Sequence, residues 1–188
     1  MSKLHVYVVL RRVSATKNEN MGLTKKCMRF VDRDNDPVET LRRAKKTCDE
    51  PGMWRIYRSV NKRDTEIAMK QLQIQMIMHP NDVMDKVDAK WKSILMESKC
   101  KGERKFLVDI DNSDPYYQME VRRYLSEFTY TKKKSTEVLS LQTYEEAGTP
   151  NGYHVVTDAF DSRELEKKFP DVEIKRDDLL LVDFFEVE

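Results

Sequence analysis

The chain has 188 residues, 36% charged and 39% apolar, with a formal net charge of +1. That length sets a prior of one domain, or a compact core with an appended subdomain, and is enough to bury a hydrophobic core. No apolar run approaches the roughly 20 residues that span a bilayer and the start Met1-Ser2-Lys3-Leu4-His5 lacks an apolar signal segment, so the expectation is a cytoplasmic protein with no membrane partner.

Leu4 to Leu10 is a β-branched and aromatic run of strand length. A polar loop to about Thr24 and a short strand around Cys27 to Val31 follow. Asp36-Pro37-Val38-Glu39 carries the start signals of a helix: an Asp cap, Pro at the first position and an acid at the third. Leu41, Ala44 and Cys48 continue its apolar face, Pro51-Gly52 ends it, and Met53 to Val60 alternates as a half-buried strand does. From Thr65 the period becomes helical. Ala68, Leu72, Met76 and His79 form one face, and a second helix follows with Val83, Val87, Trp91, Ile94 and Leu95. Both stripes are expected to be core.

Beyond a charged connector, Lys99 to Lys105, the pattern is most regular. Phe106 to Ile110 reads as an apolar strand, and Asp114-Pro115 caps a helix whose face is Tyr117, Val121, Tyr124, Leu125 and Phe128. Lys132 to Lys134 is a basic loop, Glu137 to Tyr144 a strand, Gly148 to Gly152 a turn and Tyr153 to Thr157 a strand. Asp161 to Glu164 opens a helix carrying Leu165 and Phe169, and Leu179 to Val187 is the last strand. The order β-α-β-β-α-β predicts an α+β protein. Its palm sheet is of the ferredoxin/RRM-like split β-α-β kind, with both helices on one face, over residues 106–188. Residues 1–105 form an α/β extension packed on that core. Many unrelated proteins share the plan, so it names no function.

Charge divides along the same line. Residues 1–105 hold 24 Lys+Arg against 14 Asp+Glu, and residues 106–188 hold 10 against 19. Such asymmetry points to nucleic acid, or to two halves that neutralise each other. Trp54, Arg55, Tyr57, Arg58, Lys62 and Arg63 interleave rings with positive charge, which suits a single strand through stacking and phosphate contact. Alternation puts Trp54 and Ile56 in the core and leaves Arg55 and Arg58 for phosphate or for salt bridges.

Three scattered cysteines, Cys27, Cys48 and Cys100, offer neither a disulfide framework nor a paired-cysteine metal site, and the three histidines lack helical metal spacing. The sharpest chemical signal is Phe106-Leu107-Val108-Asp109-Ile110-Asp111-Asn112. Residues two apart on a strand share a face, so Asp109 and Asp111 would repel unless a cation sat between them. Mg²⁺ or Mn²⁺ is the expected ion. Alternatively, Asp111 turns to solvent at the strand's end. The second signal is Thr149-Pro150-Asn151-Gly152-Tyr153-His154, a turn of small residues opening into a strand. Glycine there lets backbone approach a bound phosphate, and His154 can contact a triphosphate or be structural.

Together the two signals resemble the catalytic core of the archaeo-eukaryotic primase superfamily, which includes the primase-polymerases. The resemblance covers residues 106–188. It implies a metal-binding acidic pair at Asp109 and Asp111, and a nucleotide-contacting His154 with Gly152, Asn151 and Thr149 in its turn. It also implies a third acid, for which Asp183 stands first and Asp178 and Asp177 next. The implied activity is metal-dependent nucleotidyl transfer from a nucleoside triphosphate, with single-stranded DNA or RNA as template. Three alternatives accompany it: a non-catalytic module binding nucleotide or single strands on a degenerate fold of this kind, a dehalogenase-type phosphatase with Asp109 as nucleophile, and an adaptor or inhibitor without a motif. The phosphatase needs a long Rossmann-like stretch after its motif, where the chain spells split β-α-β elements.

Overall fold

The computed structural model describes residues 3–11, 24–32, 36–131, 138–149 and 151–188. The basic run Lys132 to Lys134, Pro150 and most of the loop before Thr24 lie outside them. The architecture is mixed α+β with antiparallel sheets, in two compact units: residues 1–103 with 181–188, and residues 104–180. The expected division at 105/106 is therefore close on the first side. It fails on the second, because the end of the last strand belongs to the first unit.

In the first unit, β1 (Lys3–Leu4) and β2 (Val6–Arg11) replace the single expected strand, with a break at His5. His5 Nδ1 lies 2.8 Å from the Ser59 carbonyl oxygen, and the His5 carbonyl accepts from the Asp32 amide at 3.1 Å. The chain continues as β3 (Lys26–Val31), α1 (Pro37–Lys46), β4 (Gly52–Ser59), β5 (Arg63–Asp64), α2 (Thr65–Met78), α3 (Pro80–Met84) and α4 (Val87–Leu95). The Asp36 carboxylate accepts from the Val38 and Glu39 amides at 3.0 and 3.1 Å, which is the cap its sequence called for.

Strands β2, β3 and β4 pair antiparallel, and β12 (Leu179–Val187) lies beyond β4 in the same sheet. Trp54 and Ile56 are wholly buried with Tyr7, Val9, Ala44 and Cys48. The second expected helix is two, broken at Asp85-Lys86, which leaves Val83 buried and Val87 exposed. His79 ends α2 at the surface instead of extending its apolar face. Trp54→Ala is expected to cost about 3–5 kcal/mol, because a large ring leaves a cavity that surrounding strands only partly refill. A urea unfolding curve that moves by less than about 1 kcal/mol would show the site to be plastic.

The second unit runs β6 (Lys105–Ile110), α5 (Pro115–Glu127), β7 (Thr129–Thr131), β8 (Val138–Ser140), β9 (Thr143–Thr149), β10 (Gly152–Asp158), α6 (Arg163–Lys168) and β11 (Val172–Lys175). Its sheet has the order β11-β6-β10-β9, antiparallel throughout. Val108, Ile110, Val155 and Val172 enter one core with Val121 and Leu125 of α5 and Leu165 of α6. Both helices thus cover the same face. The fourth strand is β11 and not Leu179–Val187, a correction set by long-range pairing: Val172 lies opposite Ile110 and Glu173 opposite Asp109.

Candidate functional site

Alternation along β6 decides which side chains meet. Val108 and Ile110 point into the helix-covered core, so Asp109 turns to the other face of the sheet. In the antiparallel register Asp109 lies opposite His154 on β10 and opposite Glu173 on β11, which puts all three on that face. His154 Nε2 is 3.0 Å from Asp109 Oδ1, and Lys175 Nζ is 2.5 Å from Asp109 Oδ2. The same ammonium is 3.4 Å from Glu173 and 3.8 Å from Asp178. One cation is thereby ringed by three carboxylates.

Asp109 and His154 are 7% and 9% exposed. Burial would raise the Asp109 carboxyl, but hydrogen bonds and charge from His154 and Lys175 overcome it and hold the group at about 2. Burial works likewise to lower the Lys175 ammonium, and Asp109, Glu173 and Asp178 together keep it above the ordinary lysine value. His154 Nδ1 is buried without a hydrogen-bond partner among the described residues.

The Gly152 turn serves this site in a way its composition did not specify. Gly152 has φ 127°, and a Cβ on it would lie 1.9 Å from the Ile110 carbonyl oxygen and 3.3 Å from the Asn112 amide nitrogen. The glycine lets β10 close on the end of the strand that carries Asp109, so the close approach is to protein backbone. Thr149 faces Gly152 across the turn and is half-buried, and Asn151 is exposed.

The remaining expected residues fall elsewhere. Asp111 lies past the end of β6 with an exposed carboxylate, and its amide donates to the Asp171 carbonyl at 3.0 Å. The expected pairing of Asp109 and Asp111 around a cation is replaced by Asp109 with His154 and Lys175. Asp183 is in the first unit, where it pairs with Lys45 at 2.6 Å. Of the acids considered for a third position, Asp178 is the one drawn into the Asp109 cluster. Glu173 and Lys175 were not singled out in the sequence; the only signal was the short alternation Val172-Glu173-Ile174-Lys175. Arg55, Arg58 and Lys62 are half-buried in the first unit. Arg63 is 1% exposed, buried where Arg55, Arg58 and Lys62 are not, and its backbone pairs with Leu4 and bridges to Lys101.

A divalent cation has to be weighed against this arrangement. The donor chemistry fits, since carboxylate oxygens on one buried and two more exposed acids suit Mg²⁺ or Mn²⁺. The Lys175 ammonium stands where such an ion would be held, and no three Asp, Glu, His or Cys side chains among the described residues gather as a metal-binding group. Among the described residues no helix is long and apolar enough to cross a membrane. No family model, curated protein or solved structure matches the chain.

Proposed function

We propose that residues 104–180 form a ferredoxin-like palm of the primase-polymerase kind that carries out metal-dependent nucleotidyl transfer. The observation that carries this reading is the opposition of Asp109 and His154 across β6 and β10, on the sheet face away from both helices. The strand order β11-β6-β10-β9, fourth-first-third-second among the main strands of the unit, supports the fold assignment. A bound divalent ion would supply charge stabilisation at the reacting phosphate and activate the attacking hydroxyl. For the chain's own part, Asp109 anchors the cation and His154 receives the nucleotide, its ring oriented by Asp109. Arg55 and Arg58, half-buried in the first unit, are the residues proposed for contact with a template strand.

Incubation with Mn²⁺, labelled nucleoside triphosphates and a single-stranded template tests the proposal. Incorporation is expected, with a loss of about 100-fold or more in Asp109→Asn, as when a preorganised charge is removed from a reacting centre. No incorporation together with no nucleotide-induced thermal shift would overturn it. A second reading, a non-catalytic nucleotide or single-strand binder, is favoured by the ion pair between Lys175 and Asp109 and by the engagement of Asp183 with Lys45. It predicts binding that is indifferent to both Mn²⁺ and Asp109→Asn.

A further inference from the structure

We propose that the outer face of α2 is the interface of a two-fold homodimer, in which a second copy of this chain covers it. Gln71 to Asn81 is a run of eleven residues without an Asp, Glu, Lys or Arg, in a chain that is 36% charged. The helix is apolar on both sides: Ala68 and Leu72 are buried in a core of the first unit, while Ile67, Ile74, Ile77 and Met78 are exposed. Those four stand at i, i+7, i+10 and i+11 and so form one stripe along the helix, with Ile74, Ile77 and Met78 at 52%, 79% and 66% exposure. A helix that is apolar all round belongs in an interior, covered on both sides. Among the described residues, seven of the twelve large apolar side chains left exposed lie between Ile67 and Val87, so this is a patch and not scattered surface residues.

Charge and area select a second copy as the occupant. Ile74 and Met78 line a groove with Asp82, Val83 and Lys90, and neither Asp82 nor Lys90 forms an ion pair among the described residues. One acid and one base on the same rim are self-complementary across a two-fold axis, where Asp82 meets the partner's Lys90 and the reverse contact repeats it. A strongly charged partner of either sign would instead set one of the two against a like charge. Gln75 Oε1, on the wall of the same groove, is buried without a hydrogen-bond partner among the described residues, an acceptor that a side chain entering the groove can satisfy. The stripe offers on the order of 500 Å² of apolar surface per copy, and its polar rim brings the face to about the 800 Å² that each partner gives to a standard interface. An apolar centre ringed by polar groups is the usual anatomy of such a contact.

Sedimentation equilibrium of the full chain at micromolar concentrations tests the proposal. A species of twice the 22.3 kDa chain mass is expected. Ile77→Glu should raise the dimer dissociation constant about 30-fold or more, the effect of losing a central apolar anchor. Val38→Glu, at a comparably exposed apolar position on α1, should leave it unchanged. Asp82→Lys and Lys90→Glu should each weaken the dimer, and the two together should restore it, a recovery that a merely disturbed fold would not give. A monomer throughout that concentration range would overturn the proposal, as would a dimer that Ile77→Glu leaves intact, or growth into open-ended assemblies.

Discussion

Gly152→Ala is expected to lower the unfolding free energy by about 3 kcal/mol or more, combining backbone strain at a conformation that side chains rarely adopt with a backbone clash. At φ 127° the new methyl would stand 1.9 Å from the Ile110 carbonyl oxygen, and that oxygen belongs to a central strand that cannot step aside as a flexible side chain would. Either β10 separates from the end of β6 or the local ladder breaks. Because His154 is two residues along β10 and Asp109 one residue back from Ile110, the same shift disturbs their contact. Gly148→Ala is the matched control: it also lies on β9–β10 hairpin backbone, but nothing lies within 4 Å of its added carbon. It should stay within about 0.5 kcal/mol of the parent, as ordinary surface substitutions do. Urea unfolding of the two variants checks the contrast, and coincident midpoints would contradict the close approach of the two strands.

The elements that were legible are those whose causes are local. Asp36-Pro37 and Asp114-Pro115 each place a capping carboxylate and a preset φ within a few residues, and both helices begin there, with Asp114 accepting from the Tyr116 amide at 3.0 Å. The faces of α5 and α6 follow from a 3.6-residue period that requires no knowledge of the partner. What could not be read is which edge a strand joins. Leu179–Val187 is plainly extended from its β-branched, aromatic and leucine content, yet nothing in that content distinguishes a place beside β4 from one beside β6. Val172–Lys175 is only four residues long and is followed by charge, so its sequence alone does not mark it as a strand, and its pairing with β6 does.

The candidate site divides the same way. Asp109 and His154 stood out because each sits at the end of an apolar strand beside a turn, and two antiparallel neighbours bring such ends together. Asp183 stood out for a similar reason, an acid inside Leu181-Val182-Asp183-Phe184, but its strand belongs to the other sheet and its carboxylate is taken by Lys45. Lys175, Glu173 and Asp178 depend wholly on the placement of β11. Their importance is a property of the register, in which a lysine opposite Leu107 reaches diagonally to the neighbouring aspartate. The local sequence contained the right charges without indicating what they would neutralise.

Acid should expose the strength of that neutralisation. The folded state holds Asp109 at about 2, against an ordinary value of 3.8, so its charged form is favoured by folding. A group depressed in this way contributes stability that is fully present above about pH 4 and is lost as pH falls towards 2. The shift corresponds to about 2 kcal/mol, at 1.36 kcal/mol for each pH unit between the two values. Asp161 is brought to the same value by Arg163, but that pair is exposed, so water and salt screen it and its protonation should be felt far less. Urea unfolding between pH 5 and pH 2 on the parent, Asp109→Asn and Asp161→Asn separates the two. The parent and Asp161→Asn should lose stability in parallel, whereas Asp109→Asn should start lower at pH 5 and converge on the parent as the carboxyl protonates. Curves for the parent and Asp109→Asn that stay parallel through this range would mean that His154 and Lys175 do not hold the Asp109 charge in the folded chain.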